Sequence, residues 1–416
     1  MAAYAKLAPE DHAELGALAT PPPLTRPAVL WRLARSHAGW VVACLLLVHA
    51  VSPLDPLHPA SELTRERTQL VNRPRRLRQC FDPYSSPGYI YRPTNLSMRH
   101  FAYHPAASLD DLTSYTAIDD SLDPPDDALP LTAPAYGDML NQRDKPSELD
   151  WARDKSVWFI GDSHDRMNLE VFCRQHEEGG AVLDVPHWHV KANCRFPDLN
   201  LTFASFFHYG LSPESESSPP DAWNIPALPT SRENENPGPY SVERKVRDVW
   251  RPAVSEVGHP SVIVLNSFFW DLRYFAIHAQ HHDHSEYRQR WERALTYSEL
   301  AWHRARVRVF VESVREAFPG VPVMFRLGQA HQTNRNEGNV AVYQLNQSLR
   351  AVLARLDVPI FEWADLLSGE SQYGDDQHLK PGAPARLFAD MSMWYLWRAA
   401  VAGWDTCLDW PAVPKA

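Results

Sequence analysis

Short apolar runs alternate with longer stretches of helical period along most of this chain. The runs at 156–160 (SVWFI), 201–207 (LTFASFF), 261–265 (SVIVL), 321–326 (VPVMFR) and 358–361 (VPIF) have the length and composition of buried strands. Segments 165–177, 286–317, 339–355 and 383–400 carry spaced apolar positions among polar ones and predict helices. Val- and Ile-rich runs alternating with longer amphipathic segments specify a parallel sheet with helices on both faces. In such a sheet a ligand binds beyond the carboxyl ends of the strands. Gly161-Asp162-Ser163, Asn266 and the chain after Ile360 all follow strands of this set, so three polar constellations meet at one edge.

Two stretches interrupt the pattern. Residues 105–150 are rich in Asp and Pro, and 211–240 in Ser, Glu and Pro. Both are expected to be surface insertions, because neither offers enough apolar area to offset the entropy of ordering. No internal repeat is present.

The N-terminus departs from the pattern in the opposite direction. Arg32 and Arg35 precede an apolar run from Ala38 to Val51, which flanking residues to Leu57 extend toward the roughly 20 residues needed to span a bilayer. The favoured reading is an uncleaved type II anchor at 38–57. A cytoplasmic tail at 1–37 precedes it, and a polar stem at 58–79 and a lumenal domain at 80–416 follow. A cleaved signal peptide, with Val48 and Ala50 at the cleavage site, remains the alternative. Either reading puts the later residues in the secretory pathway, such as the Golgi lumen, or outside the cell.

Cysteine use agrees with that compartment. Apart from Cys44 in the apolar run, Cys80, Cys173, Cys194 and Cys407 form an even set. Of three possible pairings, Cys173–Cys194 and Cys80–Cys407 are expected: the first ties the first helix to the next segment and the second closes the domain's ends. Asn95, Asn200 and Asn346 begin sequons that a lumenal domain can have glycosylated. The net charge of −10, from 41 basic and 51 acidic residues, argues against a nucleic-acid partner, and the basic run 73–80 lacks interleaved aromatics. His278, His281, His282 and His284 lack the Cys or Glu partners and the spacing of a metal site and are read as a solvated loop. Neither a metal nor a cofactor is expected.

The candidate chemistry lies at the strand ends. A hydroxyl is a poor nucleophile until a base takes its proton, and an imidazole works best when a carboxylate fixes its tautomer. Ser163, His378 and Asp375 provide one of each, and the three-residue step from Asp375 to His378 suits a carboxylate accepting the Nδ1 proton. Acidification through an apparent pKa of about 6 to 7 is then expected to remove activity. Asn266 and the backbone N–H of Ser163 are candidate donors to an oxyanion. Asp162, Arg166, His331 and Asn334 are candidate substrate-binding residues, with a solvated charge on the first helical turn the commoner reading of Arg166. Trp188, Trp223 and Trp270 are flat platforms suited to sugar faces, with core packing the commoner role for each.

The order Gly161-Asp162-Ser163, Asn266, Asp375-x-x-His378 resembles the SGNH (GDSL-type) hydrolase superfamily over about 151–400. The segments FIGDSHDRMN and NSFFWDLRY resemble its PC-esterase group, which includes the trichome-birefringence-like polysaccharide O-acetyltransferases. The resemblance implies a three-layer α/β/α sandwich with a mostly parallel sheet and acyl-ester chemistry, often on glycans. It implies Ser163 as nucleophile, His378 as base, Asp375 as its orienter and Asn266 as oxyanion donor. The superfamily's second oxyanion residue, a glycine, has no clear match here, and Gly210, after FASFFHY, is the candidate; its Gly-x-Asn-Asp block is here Leu265-Asn266-Ser267. The expected function is therefore an O-acetyl esterase or O-acetyltransferase, with a polysaccharide or glycan substrate and an acyl donor as partners. The rival expectation is an inactive glycan-binding or scaffold protein of the same fold.

Overall fold

The computed structural model describes residues 82–85, 88–91, 102–105, 136–187, 191–211, 241–282, 293–330, 339–368, 378–379 and 382–405. Strands β1 (Gly88–Tyr91) and β2 (Ala102–Pro105) form a small antiparallel pair. The main sheet comprises β3 (Ser156–Gly161), β4 (Val182–His187), β5 (Lys191–Phe196), β6 (Leu201–Phe207), β7 (Val262–Leu265), β8 (Val323–Arg326) and β9 (Ile360–Phe361). Its order is β4-β5-β6-β3-β7-β8-β9, parallel from β6 to β9, with β4 and β5 adding an antiparallel edge. The chain starts in the centre at β3, fills one side through β6, then crosses to β7. The carboxyl end of β3 is thus the point where the winding reverses, and such a point opens a crevice for ligand.

Strand β3 is buried along its whole length, as a central strand covered on both faces must be. Its alternating side chains mark the two outer layers. Trp158 packs against Phe206 and Phe318, with ring centroids 4.8 and 5.2 Å away. Phe159 points to the other face, 4.6 Å from Phe388. The Phe318 layer holds the helical run Val242–Val257 with its π turn Val246–Trp250, helix α3 (Tyr297–Ala317) and helix α4 (Val340–Leu356). The Phe388 layer holds helix α1 (Ser163–Gln175) and helix α5 (Ala383–Trp397), which pack on each other. Helix α2 (Phe269–His282) leaves the end of β7. The expected α/β sandwich with a mostly parallel sheet is what the chain builds.

The expected Cys173–Cys194 disulfide joins α1 to β5 across a Cα–Cα distance of 5.5 Å. Cys80 and Cys407 lie outside the described residues, as do the anchor segment 38–57, Trp188 and Trp223. Among the described residues no helix is long and apolar enough to cross a membrane.

Four expectations need correction. The helix expected over 286–317 begins at Tyr297, where Thr296 and Glu299 cap each other's backbone N–H groups and fix the start. His278, His281 and His282 lie in the last turns of α2 rather than in a loop, while His284 lies outside the described residues. The stretch 105–150 is not wholly a surface insertion. Tyr136, Leu140 and Leu149 at its end are buried, and the high Asp and Pro content upstream masks them. Arg166, on the first turn of α1, is buried and paired with Glu170 at 2.5 Å rather than being a solvated charge.

Candidate functional site

The site forms where β3 runs into α1. Gly161, Asp162 and Ser163 occupy that junction, and each is fixed by its surroundings. A Cβ on Gly161 would stand 1.9 Å from Asp165 Oδ2, so only glycine lets the first helical turn fold back this closely. Asp162 is the helix N-cap: Oδ1 accepts from the His164 backbone N–H at 2.9 Å, while Asp165 accepts from the Asp162 N–H at 3.2 Å. Ser163 is the first residue of a 13-residue helix, where unpaired N–H groups and the helix dipole favour developing negative charge.

His378 meets this serine from the far end of the chain. Its Nε2 lies 2.8 Å from Ser163 Oγ, across a sequence separation of 215 residues. That distance suits proton transfer in a general-base pair. The His378 ring is flanked by His164, with centroids 4.6 Å apart, and His164 stacks in turn on Phe269 at 4.5 Å. His164 Nδ1 contacts Asp162 Oδ1 at 3.0 Å. The His378 ring is thus held against a ring whose orientation the N-cap aspartate sets. Asp375, His331 and Asn334 lie outside the described residues.

Asp162 also belongs to a buried ion cluster. Arg326, at the end of β8, donates from Nε to Asp165 Oδ1 at 2.6 Å and from Nη2 to Asp165 Oδ2 at 2.8 Å and Asp162 Oδ1 at 3.3 Å. Burial alone would raise the Asp162 carboxyl, but His164 and Arg326 outweigh it and hold the group well below the usual carboxylate range. The candidate substrate-binding residues are both engaged inside the protein, Asp162 by this cluster and Arg166 by Glu170.

Asn266 follows β7 on the other side of β3, with its backbone N–H bonded to the Ile160 carbonyl at 2.9 Å. Its side-chain Nδ2 donates to the Arg326 carbonyl at 2.8 Å, and the residue is 1% exposed. An amide nitrogen carries two protons, so this bond occupies one of them. Gly210 sits beyond β6 in a left-handed conformation at φ 91°. A Cβ there would meet Asp271 Oδ1 at 2.7 Å, so both backbone shape and space require glycine. Asp271 fixes this turn by accepting from the Leu211 N–H at 2.9 Å, and it also accepts from Ser267 Oγ and faces His303 Nε2 at 3.4 Å. Trp270 is half-buried, its ring edge-on to Phe207 and Tyr209.

Sequence reasoning missed His164, His208 and Arg326. A single histidine or arginine beside a strand end carries no periodic signal, and only the Arg of VPVMFR, polar at the close of an apolar run, hinted at a buried partner. Among the described residues no three His, Cys, Asp or Glu side chains are grouped as metal ligands.

No family model and no curated protein sequence matches the chain. In fold it is similar to GDSL-like lipases and carbohydrate esterases. A GDSL-like lipase from Bacteroides thetaiotaomicron aligns at 10% identity and TM-score 0.32, over 62% of this chain and 99% of the other. A carbohydrate esterase family 2 enzyme from Corynascus thermopiles (Myceliophthora fergusii) aligns at 11% and 0.34, over 60% and 67%. A carbohydrate esterase family 3 protein from Talaromyces cellulolyticus aligns at 9% and 0.29, over 59% and 98%.

Proposed function

We propose that the protein is an acyl-ester enzyme of the secretory pathway that removes or transfers an acetyl group on a polysaccharide or glycan. The observation that carries the reading is the 2.8 Å contact between Ser163 Oγ and His378 Nε2 at a helix N-terminus. In the first half-reaction Ser163 Oγ attacks the ester carbonyl and its proton passes to His378 Nε2. The oxyanion is met by the Ser163 N–H at the head of α1, with Gly210 and Asn266 as further donors. The carbonyl reforms, the C–O bond to the sugar breaks, and His378 returns the proton to the departing hydroxyl. The acyl-serine is then resolved by water in an esterase or by a second sugar hydroxyl in a transferase. Asp375, three residues before His378, is proposed to accept its Nδ1 proton. The glycan substrate and the membrane-anchored, lumenal setting rest on the sequence resemblance and on the apolar run at 38–51.

A fluorophosphonate probe tests the nucleophile. Wild-type protein should be labelled and should turn over an aryl acetate, and Ser163→Ala should lose both. Folded wild-type protein that neither takes the label nor cleaves the ester favours the inactive scaffold. Adding an acceptor oligosaccharide separates the two outcomes of the acyl-enzyme: acetylated sugar marks a transferase, and acetate alone marks an esterase.

A further inference from the structure

Two strand-end turns flank the nucleophile, and one buried side chain joins them. His208 follows β6 directly. Its backbone N–H donates to the Gly161 carbonyl at 2.8 Å, which pins it beside the β3–α1 junction. Its ring is 2% exposed and sits edge-on to Phe310 and Trp250, 5.2 and 6.3 Å away, so it has no freedom to turn. From that position Nδ1 reaches the Gly210 carbonyl at 3.2 Å and Nε2 reaches the Asn266 carbonyl. One ring therefore spans the ends of β6 and β7 beneath the end of β3.

The consequence falls on the peptide planes. Burial lowers the pKa of the His208 ring, so it is neutral and carries one N–H. The shorter contact assigns that N–H to Nε2 and the Asn266 carbonyl, and Nδ1 only packs against the Gly210 carbonyl. The Gly210–Leu211 peptide is held by Asp271 Oδ1, which accepts from the Leu211 N–H at 2.9 Å. The Asn266 carbonyl is held by the same ring, and its side chain by the Arg326 carbonyl. A donor that stabilises a developing oxyanion contributes most when it is already in place, because reorganisation during the reaction then costs little. A displacement of about 1 Å can cost on the order of 10²-fold in rate.

We infer that His208 is a positioning residue that fixes the turn bearing Asn266 through its one N–H and packs against the turn bearing Gly210, so that both keep their place relative to Ser163 and the oxyanion. This rests on the acyl-ester reading proposed above. His208 touches neither the nucleophile nor the substrate in this reading; it acts through the Asn266 carbonyl it holds and the Gly210 turn it packs against. Binding of the ground-state ester does not call on that alignment, whereas the tetrahedral oxyanion does.

Three variants test the inference, each assayed with p-nitrophenyl acetate in the full-length protein. His208→Phe keeps a flat ring and removes both contacts. In His208→Asn the amide nitrogen falls near the Nδ1 position and serves Gly210, and in His208→Gln it falls near Nε2 and serves Asn266. The Phe variant should lose roughly 10- to 100-fold in kcat with KM changed by less than about twofold. The Gln variant, which replaces the Nε2 donor, should recover part of that loss, and the Asn variant should recover less. Folded variants with wild-type kcat overturn the inference, as does a change confined to KM. If none of the three folds, the ring is a general core requirement and the inference also falls. Wild-type protein that cleaves no ester sinks the reading of the site and this inference with it; active wild type beside an equally active Phe variant sinks the inference alone.

Discussion

Gly161, Asp162 and Ser163 are adjacent for three different reasons: close packing against Asp165, capping of α1, and presentation of a hydroxyl to His378. Only the last is chemical, yet all three are needed for it. The residue that links them is His164, whose ring lies between Phe269 and His378 while Nδ1 faces the capping carboxylate. Removing that ring leaves space beside His378, and an imidazole that tilts loses its line to Ser163 Oγ. His164→Ala should therefore lower kcat on aryl acetates by about 10-fold or more, and His164→Phe, which keeps a flat ring, should restore most of it. Equal rates for the wild-type and Ala proteins would show that His378 is held by other contacts. The pair of Ser163 and His378 was legible in the sequence because a hydroxyl after a strand and a histidine beside a carboxylate are rare in combination. His164 was not, since its role comes from ring stacking, which leaves no trace in residue spacing.

At the level of elements, β8 and α1 are joined by a buried arginine rather than by apolar contacts alone. Arg326 is 0% exposed and holds Asp165 with two hydrogen bonds while reaching Asp162. Deleting one side of such a cluster leaves charge stranded in the interior. Arg326→Met should destabilise the protein by roughly 3–5 kcal/mol, read from urea unfolding, and should blunt ester turnover because the cap of α1 loosens. A variant as stable as wild type would mean that water reaches the two carboxylates. The strands that build this junction were readable, since β3, β6 and β7 are buried throughout and mostly apolar. The antiparallel edge β4–β5 was hidden by Asp184, Pro186, Lys191 and Asn193, which belong to strands that lie at one side of the sheet. Helix α2 was hidden as well. Its apolar and aromatic start runs straight on from the end of β7, and its histidine-rich end reads as a loop.

Across the whole molecule, buried titratable groups tie stability to pH in two separate windows. Asp162, Asp271 and Glu299 all have carboxyls held below their ordinary values: burial opposes the shift in each, but cationic or hydrogen-bonding partners prevail. Their contribution is complete above the unfolded carboxylate pKa of about 4 and is lost as the pH falls through the folded values. Lys245 acts at the other end of the scale. It is 5% exposed, donates to the Phe207 carbonyl at 2.6 Å just before His208, and burial lowers its ammonium to about 7. In the unfolded chain the same group stays protonated to about 10.4. Between these values the unfolded state binds more protons than the folded state, so stability rises with pH. Below about 7 both states are charged and the cost of the buried charge is constant. The slope in the window is about 1.4 kcal/mol per pH unit. Lys245→Met removes this titration and leaves the Phe207 carbonyl without its donor, a loss that does not vary with pH. Unfolding free energies measured for both proteins at pH 7.5 and 9.5 should therefore differ by an amount that moves about 2–3 kcal/mol in favour of wild type at the higher pH. Other groups that titrate in that interval are shared by the two proteins and cancel in the difference. Parallel curves would show that the Lys245 ammonium keeps its proton inside the fold, solvated by the Phe207 carbonyl and the Tyr209 ring, which lies 5.7 Å from Nζ.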